Sequence, residues 1–261
     1  MVRETHPTTH IDPPPLTMLI LRSLLFSLGM ALSTLVFAPL SLLTFPLPLR
    51  QRYAFITQWS RFNLWWLAVT CKLRYTVEGR ENIPATNGII LCKHQSAWET
   101  LALQRIFPPQ VWLLKRELLW VPFFGWGLAM LNPIAINRKA GKKALRQLRE
   151  QGAQRLADGL WVVIFPEGTR VAPGDKRPYA PGGAVLSHHT GYPVVPVAHN
   201  AGEFWPRRGF IKRPGTIRLI IGPAIAGNGR SASQINAEAE AWIENKAHEI
   251  SAAAKHSNLL N

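Results

Sequence analysis

The chain has 261 residues, 47% of them hydrophobic, and a formal net charge of +15 from 30 Lys+Arg against 15 Asp+Glu. That is enough apolar residue for one large domain or one domain with an appendage, and two cysteines, Cys71 and Cys92, exclude a disulfide framework. A balance this basic implies an anionic partner (nucleic acid, an anionic membrane surface or a phosphorylated substrate), and ten tryptophans point to a membrane interface.

Residues 1–15 are polar and proline-rich and read as a disordered tail. Leu16 to Leu49 then carries one charge, Arg22, with prolines at Pro39, Pro46 and Pro48. This predicts a helix from about Leu16 to Ala38, roughly 34 Å long at 1.5 Å per residue, enough to cross a bilayer core. A signal peptide fits poorly, since neither a basic n-region nor a small-residue cleavage site is clear. A spanning helix and a helix dipping into one leaflet as half of a hairpin remain equally open. Tyr53 to Lys72 is rich in aromatics (Phe55, Trp59, Phe62, Trp65, Trp66) but interrupted by Arg61. Its apolar core is too short to span, so it reads as a helix at the headgroup level, with an ordinary core helix as the alternative. Residues 16–72 are thus expected to form a membrane-associated helical hairpin. Arg50 and Arg52 follow the first apolar helix, against Arg3, Glu4 and Asp12 before it. That asymmetry puts residues 73–261 on the cytoplasmic side of the inner membrane.

From Leu73 the texture changes. Short β-like runs (Leu73–Val77, Gly88–Cys92, Val111–Leu114, Ile134–Ile136, Trp161–Phe165, Val194–Ala198, Thr216–Ile221) alternate with helix candidates near Ala97–Ile106, Leu118–Met130, Ala140–Asp158, Gly182–His189 and Ser233–Lys255. The alternation predicts an α/β domain over 73–261 with a mostly parallel mixed sheet flanked by helices. Cys71 and Cys92 lie in apolar contexts and read as buried thiols. No Cys or His spacing suits a metal; His188-His189 is a bare pair, and no metal is expected.

Four polar clusters follow strands, where open α/β sheets bind ligands. In Lys93-His94-Gln95-Ser96-Ala97-Trp98-Glu99, His94 must precede a helix whose first turn holds Glu99. A histidine titrates near neutrality and takes a proton from a hydroxyl when a carboxylate orients its ring. Ser96-Ala97-Trp98-Glu99 is equally a capping box, in which Glu99 reaches back to the Ser96 N–H. The two roles are compatible. Lys115-Arg116-Glu117-Leu118 follows the run Val111–Leu114 and reads as a phosphate-facing cation or a solvated turn. Asn137-Arg138-Lys139 leads into a basic helix, and Arg138 is a candidate phosphate fork. Phe165-Pro166-Glu167-Gly168-Thr169-Arg170 is a turn whose glycine permits close approach and whose Thr169 and Arg170 offer donors to an oxyanion.

These residues together resemble the 1-acylglycerol-3-phosphate O-acyltransferases of the glycerolipid acyltransferase superfamily, over roughly Leu73 to Ile225. The family's His-x4-Asp motif aligns with His94 to Glu99, a glutamate standing where aspartate is usual. Its Phe-Pro-Glu-Gly-Thr-Arg motif stands intact at Phe165–Arg170, about 70 residues on. Arg138 matches the arginine of its second motif, Val194-Val195-Pro196-Val197 its fourth, and Lys115-Arg116-Glu117-Leu118 its Lys-x-Glu-Leu segment.

The resemblance implies acyl transfer from an acyl-CoA or acyl-ACP thioester to the sn-2 hydroxyl of lysophosphatidic acid, with no bound cofactor. His94 would be the general base and Glu99 its orienting partner. Lys115, Arg138, Glu167, Gly168, Thr169 and Arg170 would form the phosphate site. Relatives with the same motifs acylate other lysolipids, such as lyso-ornithine lipids or lysophospholipids, which stays an alternative. A membrane-attached nucleic-acid-binding or scaffold protein is a remote one, because the cations gather at strand ends rather than on one recognition element; no nucleic-acid partner is expected.

Overall fold

The computed structural model describes residues 14–259, and within that range the side chains of Arg138 and of residues 253–259 are left undescribed. Most of the tail predicted over 1–15 therefore lies outside the described residues.

The first helix, α1, runs over Leu16–Leu42, four residues past the predicted end. Pro39 removes one N–H donor but sits within a turn of the terminus, where few bonds remain to lose. The hydroxyls of Ser27, Ser33, Thr34 and Ser41 each donate to a carbonyl three or four residues back, so the helix carries little unsatisfied polarity to its surroundings. A second helix, α2, covers Leu49–Cys71 and lies against α1. Gly29 lets the helices approach, since a Cβ there would occupy the Trp66 indole. That indole donates to the Leu25 carbonyl at 3.1 Å, and Asn63 Nδ2 donates to Ser33 Oγ at 3.3 Å.

Seven strands follow: β1 Leu73–Glu78, β2 Ile89–Cys92, β3 Gln110–Lys115, β4 Ile134–Ile136, β5 Trp161–Ile164, β6 Val194–His199 and β7 Gly215–Ile221. They form one sheet in the order β1-β7-β6-β2-β5-β3-β4. The block from β6 to β4 is parallel throughout, and β7 turns antiparallel to β6 with β1 parallel beside it. The mixed, mostly parallel sheet is thus as expected. β2, β5 and β6 are buried at every position, which is why they read as unbroken apolar runs rather than alternating ones.

Helix α3 (Trp98–Ile106), with the α1–α2 hairpin, covers one face of the sheet. Helices α5 (Lys142–Ala157), α6 (Gly182–Thr190) and α8 (Ala232–Leu259) cover the other. The continuous helix predicted over Leu118–Met130 is broken. A 3-10 turn at Arg116–Trp120 ends at Val121, which the following Pro122 holds extended, and α4 occupies only Phe124–Ala129. One further turn of helix, α7 (Ala201–Phe204), went unpredicted. Cys71 and Cys92 are buried free thiols, as expected.

Candidate active site

The parallel block aims the C-terminal ends of β6, β2, β5, β3 and β4 at one edge. His94 follows β2, Glu167–Arg170 follow β5, Lys115 closes β3, and Arg138 follows β4. With strands roughly 4.8 Å apart, these groups are spread over about 15 Å, the span of a small phosphorylated ligand with its reacting group.

His94 Nδ1 lies 2.8 Å from Glu99 Oε1. The carboxylate has only acceptor atoms when ionised, so Nδ1 carries the proton and Nε2 keeps the lone pair. Glu99 is fully buried and also accepts the Gln95 N–H at 2.9 Å and the Ser96 N–H at 2.8 Å. The cap and the histidine contact therefore coexist in one carboxylate. Burial pushes the Glu99 carboxyl upward, but His199, His94 and the backbone donors together outweigh it and hold the group below the usual carboxylate range. The sign follows: Glu99 adds stability above the ordinary carboxylate value and loses it as pH falls through its own lower one.

The Phe165–Arg170 turn fixes His94 from the other side. The Gly168 N–H donates to Phe165 O at 3.0 Å, closing a turn with Pro166 second and Gly168 at φ +69°. The Phe165 ring stacks on the His94 ring at 4.0 Å and 12°. Glu167 Oε1 accepts the His94 N–H at 3.3 Å, and His94 O accepts the Val171 N–H at 2.8 Å. The two motifs, 71 residues apart in sequence, are thus one hydrogen-bonded unit.

Glu167 departs from its expected place in a phosphate site. It is 4% exposed, with Oε1 3.4 Å from Lys93 Nζ. A carboxylate repels phosphate, and this one faces inward to a buried ammonium. Burial pushes its carboxyl up, against the pull of Lys93. Gly168, Thr169 and Arg170 are half-buried at the edge. Lys115 is exposed there, and the Arg138 side chain lies outside the described residues. Beside the ends of β3 and β4 is a cavity of about 190 Å³ lined by Arg116, Asn137, Lys143 and Gln147 among others.

Sequence reasoning missed a cluster behind the site, buried Lys93, Tyr179 and His199 with the partly buried Glu244. Lys93 Nζ bonds Glu244 Oε1 at 2.6 Å, and the Tyr179 hydroxyl donates to the same oxygen at 2.8 Å. His199 Nε2 lies 2.8 Å from Lys93 O, while Nδ1 accepts the Ala201 N–H, which makes the ring a neutral Nε2–H tautomer. The same Nε2 is 3.8 Å from Glu99 Oε2. A lysine directly after an apolar strand and a histidine ending β6 were the available signals.

The Glu99 side chain spans the gap to Nδ1 with one methylene more than an aspartate has. On this backbone, Glu99→Asp should withdraw the carboxylate from Nδ1 and both N–H donors and lower kcat about 10²-fold with KM little changed. Steady-state rates of the purified variant test this; unaltered kcat would mean that α3 shifts to follow the shorter side chain.

A parallel-sheet edge carrying a histidine lone pair beside a glycine-containing turn gives an α/β fold a place to take a proton from a hydroxyl. The Acyltransferase family model matches residues 74–200. The 1-acyl-sn-glycerol-3-phosphate acyltransferase of Pseudomonas aeruginosa is 48% identical over 236 residues, 88% of this chain and 92% of that one. The chain belongs to the 1-acyl-sn-glycerol-3-phosphate acyltransferase family, and it is an acyltransferase. The human enzyme of the beta type is 28% identical over 57% of this chain and 54% of its own length. The crystal structure of the 1-acyl-sn-glycerophosphate acyltransferase of Thermotoga maritima shares the fold, with TM-score 0.74 and 23% identity over 89% of this chain and 96% of that one.

Proposed function

We propose that this protein acylates the sn-2 hydroxyl of 1-acyl-sn-glycerol 3-phosphate from an acyl thioester, giving phosphatidic acid. The observation that carries the reading is the 2.8 Å contact of His94 Nδ1 with buried Glu99, which leaves Nε2 as the base at the sheet edge. Nε2 takes the hydroxyl proton as the oxygen attacks the thioester carbonyl. The new C–O bond forms, the C–S bond breaks, and the proton passes from the imidazolium to the departing thiolate. Glu99 stabilises the imidazolium between the two transfers. Thr169, Arg170, Lys115 and Arg138 bind the glycerol phosphate, and Glu167 holds the His94 backbone from behind. Coenzyme A and acyl carrier protein both supply such a thioester, and both are anionic partners suited to a chain of net charge +15.

Membrane association is supported by α1, a 27-residue apolar helix in whose most hydrophobic stretch only 11% of the residues are buried. The helix is held to the rest of the chain along its length. Ser23 Oγ accepts the Lys212 N–H at 2.9 Å, and α4 packs against α1 farther along, beside Ser41. Those points are about 27 Å apart along the axis. A helix bound over that distance offers its outer face to one leaflet, with Leu43, Phe45, Trp120 and Trp126 exposed alongside. We place it on the cytoplasmic leaflet of the inner membrane, following Arg50 and Arg52.

An acceptor panel on purified protein tests the function. Lysophosphatidic acid should be acylated, and the same monoacylglycerol without its phosphate should react at least about 10²-fold more slowly in kcat/KM, the value of two lost charge-assisted hydrogen bonds. Equal rates on both, or preference for a lyso-ornithine lipid, would overturn the assignment of acceptor.

A further inference from the structure

On the hairpin side of the sheet, α2, the start of β1 and α3 enclose an open cavity of about 410 Å³, which flanks the catalytic edge because β1 runs antiparallel to β2. One arginine from each element lines it: Arg61, Arg74 and Arg105. Arg116, Arg146, Arg155, Arg218 and Arg230 each ion-pair with a carboxylate. Among the described residues, the three cavity arginines, like several other surface arginines, have no carboxylate partner; what sets them apart is that they line one cavity. Three guanidinium groups converging on one cavity repel one another, and an anion between them reverses that cost.

The rest of the lining narrows the anion's identity. Trp65, one turn after Arg61 on α2, is 56% exposed at the mouth. Tyr75 and Trp98 meet edge to face at 5.4 Å in the wall, and Trp98 is 1% exposed. An amphipathic aromatic beside arginine forks is the chemistry of the headgroup layer. The opposite side of α2 packs on α1, so the cavity lies beside the lipid-facing hairpin. Its β1 arginine is also set to one side of the catalytic histidine. Arg74 sits on β1, three strands from β2, roughly 14 Å across the sheet.

We propose that this cavity binds the phosphate of an anionic phospholipid headgroup at a site distinct from the acyl-acceptor site. Its back wall, Trp98, immediately precedes Glu99 in the first turn of α3, so an occupant steadies the turn that aims the catalytic carboxylate. The bound lipid both docks the hairpin and supports the active site.

The test uses the full chain in mixed micelles, with native mass spectrometry counting retained phosphatidylglycerol and phosphatidylcholine. The wild-type protein should retain one phosphatidylglycerol that the combined Arg61→Gln, Arg74→Gln, Arg105→Gln variant does not. The apparent affinity should fall about 100-fold, taking each arginine near an anionic surface at its ordinary value. All three side chains are exposed, so the variant should melt with the wild type; single variants, each losing part of the affinity, serve if it does not. Rates in phosphatidylcholine nanodiscs, against nanodiscs of phosphatidylcholine and phosphatidylglycerol in equal parts, give the second readout. The wild type should be stimulated by phosphatidylglycerol and the triple variant should not, with equal rates in phosphatidylcholine alone. Unchanged retention in the triple variant overturns the proposal. Displacement of the lipid by inorganic phosphate at matching concentration overturns the lipid as occupant in favour of a soluble phosphate. The binding readout must also hold in an inactive His94→Ala protein, so it stands or falls independently of the acceptor assignment.

Discussion

Replacing His94 by alanine should lower kcat roughly 10²–10⁴-fold, the range a positioned general base supplies, while leaving the fold almost unchanged. The two halves of that expectation have separate causes. The rate depends on the imidazole, whose Nδ1 is committed to Glu99 and whose Nε2 alone can accept a proton. The fold depends mainly on the His94 main chain, whose N–H meets Glu167 and whose carbonyl meets Val171; alanine preserves both. The side chain is 15% exposed, and its removal forfeits stacking on Phe165, about 0.5–1.5 kcal/mol, and one hydrogen bond to buried Glu99, which keeps its Gln95 and Ser96 N–H donors. Initial rates with lysophosphatidic acid and an acyl thioester, beside a thermal melt, separate the two. A variant that melts with the wild type and turns over at more than a tenth of its rate would place the base elsewhere.

The sheet was legible because its strands are short apolar runs bounded by turn chemistry, and each predicted run became a strand. Its order was not legible. That β5 follows β2 in space, although β3 and β4 intervene in the chain, depends on packing between α5, α6 and the sheet. The helix limits failed where proline acts by position. Pro39 near a terminus is tolerated, whereas Pro122 fixes its neighbour as extended and splits a predicted helix. At the site, His94 and Glu99 were readable because both roles of Glu99 require the same local turn. Glu167 was not, because the motif spelling gives no sign of which side of the backbone its carboxylate takes. Glu244 comes from the last helix, 150 residues after His94, and neighbours the buried Ile243 without any signal of its own. The arginine cavity draws one residue from each of three elements, a convergence that only the packed hairpin creates.

Lys93→Met should cost about 3–5 kcal/mol of stability, the penalty for removing one member of a buried ion cluster. Lys93 is 2% exposed and serves two carboxylates at once, Glu244 at 2.6 Å and Glu167 at 3.4 Å. Methionine fills much the same volume but leaves both charges without their cation. Tyr179 still donates to Glu244, so the heavier loss falls on Glu167, whose Oε2 already has no hydrogen-bond partner. For a protein of this size the melting temperature should fall by about 6–20 °C. The pH dependence identifies the cause. Burial raises the Glu167 carboxyl above its unfolded value, so the folded chain binds that proton more readily than the unfolded one. Stability is therefore lost as pH rises from the unfolded value through the folded one. Without the ammonium that folded value climbs further, the window widens upward, and the variant should lose more stability near neutrality than in mild acid. Adding Glu167→Gln removes the buried charge and should restore part of the loss at neutral pH. Melts of the single and double variants across pH decide it. A deficit independent of pH, unrelieved by Glu167→Gln, would reduce Lys93 to a packing residue and detach the buried cluster from the strand end it supports.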